Sequence, residues 1–181
     1  MKLSPTALPD VWLVEPSVFG DDRGFFYEAW NAREFGEAGL SAAFVQDNHS
    51  RSARGVLRGL HYQIGRPQGK LVRVVSGAAF DVAVDLRRSS PCFGQWVGVE
   101  LSAANKRMLW VPPGFAHGFL ALQEGTEFLY KCTDFYAPEL ERSLLWSDAA
   151  VGIEWPLDDL TPTLSAKDMA GSRLAEAETY P

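Results

Sequence analysis

The chain has 181 residues, of which 46% are hydrophobic and 22% are charged, and its net charge is −6. These values are typical of one globular domain spanning residues 1–181 with a sizeable core. The negative charge argues against a general nucleic-acid binder, which needs a basic face, but it allows a local arginine cluster for a small anion. No stretch approaches the roughly 20 apolar residues that span a bilayer.

Two features of the sequence favour the cytoplasm as the site of the protein. Cys92 and Cys132 are too few for a disulfide scaffold, so a reducing compartment is the default expectation. The first ten residues lack the apolar segment of a signal peptide. We therefore expect a cytoplasmic protein with no membrane partner.

The predicted elements begin with a helix over residues 31–38. Asn31 can cap it, Glu34 occupies the N3 position of a capping box, and Gly39 can end it. Alternating or continuous apolar runs between turn residues then predict strands at residues 71–75, 80–86, 95–101, 107–111, 117–122 and 127–133. Closely spaced strands with tight turns indicate an antiparallel sandwich or barrel. A last short helix is predicted over residues 165–177, with Ser165 as its cap.

The most informative segment is Gly55–Gln63, which reads Gly-Val-Leu-Arg-Gly-Leu-His-Tyr-Gln. In a straight strand Arg58 and His61 would point to opposite faces, because side chains alternate with period two. Gly59 lies between them, so we predict a bulge or bend that turns both toward one pocket. Lys70 adds a second cation at the start of the next strand. A fixed imidazole beside cations suits removal of a proton next to a carbonyl and stabilisation of the enolate.

Other roles around His61 have more than one interpretation. A lone histidine is often a structural residue, but the neighbouring cations make a base the stronger hypothesis. Such a base needs an acceptor on its second ring nitrogen, and Asp81 and Asp168 are both candidates. Tyr130 is either a core residue or a phenol that faces His61 and protonates the opposite side of a carbanion.

The segment Phe115–Phe119, Phe-Ala-His-Gly-Phe, resembles half of a metal-binding cupin motif. A metal site needs about three clustered ligands, and the segment around His61 has no His-x-His pair, so we expect no metal. His117 is expected to bond substrate or close the pocket. The chain has no glycine-rich phosphate loop, so side chains must bind any phosphate. Arg23 and Arg58 could clamp a diphosphate, because guanidinium matches phosphate geometry.

Eight segments carry a family resemblance, and they occur in the family's order over nearly the whole chain. They are Asp22–Glu28, Gln46–Ser50, Gly55–Gln63, Gln68–Val72, Phe80–Asp85, Val111–Phe119, Tyr130–Asp134 and Ser165–Asp168. Together they resemble the dTDP-4-dehydrorhamnose 3,5-epimerase family of nucleotide-sugar enzymes. The resemblance implies an all-β cupin-type jelly roll, or double-stranded β-helix barrel, with a few short helices. It also implies a homodimer and a reaction without a metal or organic cofactor.

The same resemblance implies a reaction and a role for each site residue. The substrate would be dTDP-4-dehydro-6-deoxy-D-glucose and the product dTDP-4-dehydro-β-L-rhamnose. His61 is implied to be the base, Tyr130 the acid and Lys70 the group that stabilises the enolate. Asp168 is implied to orient His61, with help from Asp81. The residues implied to hold the nucleotide sugar, the last by stacking on thymine, are Arg23, Glu28, Gln46, Asn48, Arg58, His117, Glu141, Lys167 and Tyr136.

Several alternative functions stay open at this point, both other enzymatic reactions and a non-catalytic role. Epimerisation at C3 or C5 alone would use the same motifs with a different pocket shape. Isomerisation of the ketone between C4 and C3 would use the same enolate. A non-catalytic sugar-binding cupin would be expected to lack the base or the acid, and a metal-dependent oxygenase would need ligands that the sequence does not offer.

Overall fold

The computed structural model describes residues 1–158 and 160–181. The strands are β1 (Lys2–Pro5), β2 (Trp12–Glu15), β3 (Phe19–Asp21), β4 (Gly24–Phe26), β5 (Gln46–Ser52), β6 (Leu57–Gln63), β7 (Lys70–Ser76), β8 (Ala78–Asp85), β9 (Trp96–Ser102), β10 (Met108–Val111), β11 (Phe115–Ala121), β12 (Thr126–Cys132) and β13 (Glu141–Ser143). The α-helices are α1 (Ala32–Glu37) and α2 (Ala166–Met169), and a 3-10 turn covers Pro138–Leu140. None of these described helices is long and apolar enough to cross a membrane.

Two antiparallel sheets form the body of the fold. One has six strands in the order β1-β2-β10-β7-β12-β5, and the other has five in the order β13-β6-β11-β8-β9. Strands β3 and β4 form a separate hairpin. The main apolar cluster joins Val72 and Phe128 of the first sheet to Phe115 and Phe119 of the second, so the core lies between the sheets. The predicted all-β class is therefore confirmed, as are the six predicted strands, with ends shifted by at most two residues.

The predicted start and end of helix α1 are confirmed, but the predicted capping box is not. The side-chain oxygen of Asn31 accepts from the backbone N–H groups of Arg33 and Glu34, at 3.1 Å and 3.4 Å. Gly39 has φ +83°, the left-handed conformation that commonly follows a helix. The capping box is wrong, because the Glu34 carboxylate pairs instead with the N-terminal ammonium of Met1 at 3.2 Å.

Helix α2 is shorter than predicted, although Ser165 caps it as expected. After Met169 the chain leaves the helix to pair with a neighbouring segment. The backbone N–H of Ser172 donates to the Ser143 carbonyl at 2.9 Å. A Cβ on Gly171 would lie 2.8 Å from the carbonyl carbon of Leu144, so the chain passes very close to that segment. The helix ends here because the chain pairs with a distant segment, and local helix propensity cannot predict such a contact.

Candidate active site

A pocket of about 360 Å³ opens between the two sheets, a volume in the range of small-molecule sites. It is lined by side chains from strands of both sheets and from the loops at their ends. Ten of the fourteen site residues predicted from the sequence line it: Gln46, Asn48, Arg58, His61, Lys70, His117, Tyr130, Tyr136, Glu141 and Lys167. The fold therefore brings together residues that are as much as 121 positions apart in the chain.

The predicted irregularity at Gly59 is confirmed. In the pairing of β6 with β11, His61 lies opposite His117 and Arg58 lies opposite Phe119, so β6 has one residue more than its partner. This bulge brings Arg58 and His61 to the same pocket. Gly59 has φ +124°, and a Cβ there would lie 2.5 Å from the Cα of Gly118. Only glycine fits this position without displacing β11.

His61 forms a close pair with Asp168. The His61 Nε2 lies 2.6 Å from Asp168 Oδ1, and the Asp168 side chain is almost fully buried. Burial lowers the pKa of His61, as do the ammonium groups of Lys167 and Lys70, against the raising effect of Asp168. The imidazole is therefore neutral at pH 7. A neutral imidazole facing a carboxylate carries its proton on Nε2, which leaves Nδ1 as the free base.

Asp81 bonds to a different histidine. Its Oδ1 lies 2.8 Å from Nε2 of His117, and its Oδ2 has no hydrogen-bond partner among the described residues. Burial raises the pKa of Asp81, against the lowering effects of His117 and Lys70. Strand β11 lies between β8 and β6 in the sheet. Asp81 therefore meets His117 on β11 before it can reach His61, and its suggested help in orienting His61 is wrong.

The largely buried Lys70 places its ammonium group on the pocket wall. The residue is 8% exposed, and burial lowers its pKa. Among the described residues, no hydrogen-bond or ion-pair partner is found for its Nζ. An unpaired buried cation costs free energy in the ground state, so it is poised to interact with negative charge that appears in the pocket.

Tyr130 faces the pocket from β12. It lies two residues after Phe128, so both side chains point to the same inner face of the sheet. Burial raises the pKa of the phenol, and the nearby Arg58 only partly opposes this effect. The hydroxyl therefore keeps its proton at neutral pH and can act as a donor.

Glu141 links two groups at the pocket. Its Oε2 accepts from the Tyr136 hydroxyl and its Oε1 accepts from Lys167 Nζ, both at 2.7 Å. Burial by itself would raise the pKa of Glu141, but the hydrogen bonds from Lys167 and Tyr136 lower it. The ring of Tyr136 is half exposed. This arrangement offers an aromatic surface and a cation beside each other, which suits a base and a phosphate group.

Arg23 and Glu28 do not reach the pocket of their own chain. Arg23 lies in the turn between β3 and β4, and its guanidinium pairs with Asp21 of the same turn. The Glu28 carboxylate accepts from the Asn31 side chain at 3.3 Å. A single copy of the chain therefore does not place these two residues where the resemblance requires them.

Seven lining residues were not predicted as site residues: Ser50, Tyr62, Gln63, Gln68, Gly118, Phe119 and Phe128. The alternation rule contained the signal for two of them. Ser50 follows Asn48 by two positions on β5, and Phe128 precedes Tyr130 by two positions on β12, so each shares an inner face with a predicted residue. Phe119 and Phe128 stack with ring centroids 4.1 Å apart and provide an apolar wall.

The histidines and acidic residues of the site do not form a metal cluster. Across residues 1–158 and 160–181, no group of three or more His, Cys, Asp or Glu side chains could hold a metal ion. The chemistry that the described groups support is proton transfer by the neutral imidazole and the protonated phenol, beside an ammonium group that can stabilise an oxyanion.

The fold and the site together define a cupin-type enzyme whose interior pocket is lined by an imidazole, a phenol and an ammonium group. The family model described as dTDP-4-dehydrorhamnose 3,5-epimerase matches residues 5–176. The chain belongs to this family.

Individual relatives resemble the chain over its full length. The dTDP-4-dehydrorhamnose 3,5-epimerase of Pseudomonas aeruginosa is 63% identical over 182 residues and covers 100% of both chains. That of Salmonella typhimurium is 60% identical, with 98% of this chain and 97% of the relative covered. The crystal structure of the Legionella pneumophila epimerase in complex with dTDP-4-keto-L-rhamnose superposes with a TM-score of 0.95, at 50% identity, covering 98% of this chain and 94% of that one. The cupin-type fold is thus confirmed.

Proposed function

We propose that the chain is a dTDP-4-dehydrorhamnose 3,5-epimerase, which converts dTDP-4-dehydro-6-deoxy-D-glucose into dTDP-4-dehydro-β-L-rhamnose. One observation carries the proposal. The neutral His61, held at 2.6 Å by Asp168, shares a pocket with the ammonium of Lys70 and the protonated phenol of Tyr130. These are the three groups that inversion next to a ketone requires.

The first step is removal of a proton from carbon. The C4 ketone acidifies the hydrogens on C3 and C5, so the same base can act at either carbon. His61 takes the proton on Nδ1, and the Asp168 carboxylate stabilises the resulting imidazolium. The electron pair of the C–H bond moves to O4, where Lys70 stabilises the enolate oxygen. This interaction is stronger in the transition state than in the bound ketone, so it accelerates the step.

The second step returns a proton to the other face of the carbon. Tyr130 donates its phenolic proton as the enolate reverts to the ketone, and the configuration is inverted. The tyrosinate then regains a proton and the imidazolium loses one, both by exchange with solvent. The chemistry repeats at the second carbon, and each inverted carbon carries a hydrogen that came from water.

The nucleotide part of the substrate is assigned to the other lining residues. Tyr136 stacks on thymine, while Arg58 and Lys167 face the phosphates. Gln46 and Asn48 of β5, with His117 and Glu141, supply further hydrogen bonds; they line the same pocket. The Legionella pneumophila epimerase structure is a complex with dTDP-4-keto-L-rhamnose, which supports a dTDP-sugar as the ligand class.

We also infer that the protein works as a homodimer. The β3–β4 hairpin exposes Phe19, Phe25 and Phe26, which are 67%, 63% and 66% exposed. Three large apolar side chains on one short hairpin indicate a surface that another molecule covers. The same hairpin carries Arg23, and Glu28 follows it. A second copy that covers the hairpin would receive both residues in its own pocket. A cytoplasmic location stays our expectation, since Cys92 and Cys132 are unpaired.

Proton NMR in deuterium oxide tests the reaction. Wild-type protein with dTDP-4-dehydro-6-deoxy-D-glucose is expected to introduce deuterium at C3 and C5. His61→Ala is expected to abolish the exchange, whereas Tyr130→Phe retains some exchange and loses inversion. His49→Ala is the matched control, because His49 lies on the outer side of β5 and pairs with Glu127 at 3.1 Å.

Two results would change the proposal. Exchange and inversion at a single carbon would make the protein a monofunctional epimerase of a related sugar. Deuterium exchange that persists in His61→Ala would show that His61 is not the base. Full inversion by Tyr130→Phe would show that Tyr130 is not the acid. Binding without any exchange would favour the non-catalytic alternative.

A further inference from the structure

The carboxylate of Asp168 has a second side-chain partner besides His61. The Ser165 hydroxyl donates to Asp168 Oδ2 at 2.7 Å, while Oδ1 faces His61. The same hydroxyl oxygen accepts from the backbone N–H of Asp168 at 3.2 Å. Ser165 therefore caps α2 and also binds the residue that holds the base. Neither the pocket lining nor the mechanism described above includes it.

Both oxygens of the carboxylate are thus occupied. Oδ1 contacts His61 at 2.6 Å and the backbone N–H of Gly59 at 3.4 Å. Burial by itself would raise the pKa of Asp168, but hydrogen bonds from His61 and Ser165 lower it to about 2. The group is consequently a carboxylate at neutral pH, and the bridging proton between Ser165 and Oδ2 belongs to the serine.

Two consequences for His61 follow from this geometry. A carboxylate with one anchored oxygen can turn about its Cβ–Cγ bond, whereas two anchored oxygens fix its plane and so the orientation of the imidazole. The serine donor also withdraws charge from Oδ1, so the carboxylate holds the imidazolium less tightly than it would alone. We propose that Ser165 is a positioning residue that acts on His61 through Asp168.

The inference deepens the proposed function and rests on it for the kinetic readout. A second readout needs no substrate: the NMR titration of the His61 ring, which is simple to follow because the chain has three histidines. Ser165→Ala is expected to raise the titration midpoint of His61 by at least about half a pH unit. It should lower kcat by about tenfold to a hundredfold, the range for one hydrogen bond to a buried charge, with KM within about twofold.

Two further variants separate positioning from helix capping. Ser165→Thr keeps the hydroxyl and should restore both the His61 titration and kcat. Ser102→Ala is the matched control, because the Ser102 hydroxyl accepts from the backbone N–H of Asn105, also three residues on, at 3.1 Å, and lies outside the pocket. It should lower stability, as a lost cap does, without altering His61 or kcat.

A double-mutant cycle completes the test. If Ser165 acts through Asp168, then Ser165→Ala should change kcat by less than about twofold in an Asp168→Asn background. An equal loss in both backgrounds, or an unchanged His61 titration in Ser165→Ala, would overturn the inference. Failure of wild-type protein to exchange deuterium would instead refute the proposed reaction, and the titration would still decide the role of Ser165.

Discussion

At the scale of single residues, Lys70 shows a conflict between stability and function. The residue is 8% exposed, its ammonium group has no hydrogen-bond or ion-pair partner among the described residues, and burial lowers its pKa. Such a group destabilises the folded chain, yet the proposed mechanism needs a cation beside the enolate oxygen. The residue is therefore expected to be retained for chemistry at the expense of stability.

Replacing Lys70 with methionine should reveal both effects. We expect kcat to fall by at least about a hundredfold, or about 3 kcal/mol, the loss typical of one oxyanion-stabilising group. The free energy of unfolding at pH 7 should rise by about 1 kcal/mol or more, because an apolar side chain of similar length replaces a buried charge. Steady-state kinetics and urea unfolding measure the two quantities.

The gain in stability should depend on pH in a defined direction. The folded-state pKa of Lys70 lies below 10.5, the ordinary value for a lysine side chain, because burial disfavours the charged form. Between these two values the unfolded chain binds more protons, so the stability of the wild type rises with pH. The advantage of Lys70→Met should therefore shrink as the pH approaches 10.5. Lys131→Met, which removes an ion pair with Asp47 on the outer face, is the control; a comparable gain there would contradict the explanation.

At the scale of secondary-structure elements, the bulge in β6 is what joins the two halves of the site. Without the extra residue, Arg58 and His61 would face opposite sides of the sheet. The bulge depends on a glycine that packs directly against β11. A Cβ at Gly59 would lie 2.5 Å from the Cα of Gly118 and 2.9 Å from the carbonyl oxygen of His117.

The substitution Gly59→Ala is consequently expected to reduce both stability and activity strongly. The methyl group meets backbone atoms rather than a flexible side chain, so β6 and β11 must separate and carry His61 and His117 with them. We expect a loss of about 3 kcal/mol or more in the free energy of unfolding and loss of detectable exchange activity. Thermal unfolding and the deuterium assay measure these outcomes.

Gly39→Ala provides the comparison for this experiment. Gly39 also has a positive φ, +83°, but a Cβ there meets nothing within 4 Å. Gly39→Ala should lower the free energy of unfolding by only about 1 kcal/mol, because the alanine has to adopt a left-handed backbone conformation without meeting any other atom. Activity should be retained. Equal effects at the two glycines would mean that close packing against β11 is not what requires Gly59.

At the scale of the whole molecule, the position of Arg23 leads to a prediction about subunits. If the hairpin of one copy reaches the pocket of the other, His61→Ala and Arg23→Ala damage different parts of the same composite site. Each variant alone should be impaired, Arg23→Ala chiefly by a KM raised about tenfold or more through loss of a phosphate contact.

Co-expression of the two variants should restore activity. In a mixed dimer one pocket has both defects and the other has neither, so random pairing returns about a quarter of the wild-type sites. Co-expression of His61→Ala with Tyr130→Phe is the control, because both changes lie in the pocket of one chain. No restoration in the first pair, or a monomer by light scattering, would refute the shared site.

The sequence by itself determined the features that depend on neighbours along the chain. Alternating or continuous apolar runs between turn residues located the strands β7 to β12, and the cap residues Asn31 and Ser165 located the starts of both helices. Gly59 between Arg58 and His61 indicated the bulge, because a one-residue insertion is the local way to turn both side chains to one face. The family motifs then supplied the residues of the pocket.

The tertiary structure decided what depends on distant parts of the chain. It assigned Asp168 rather than Asp81 to His61, since the order of strands in the sheet places Asp81 beside His117. It also shortened α2 and left Arg23 outside the pocket. Local sequence patterns do not record which strands become neighbours or which surfaces come together. That information arises only when the two sheets pack, because contacts between distant residues set it.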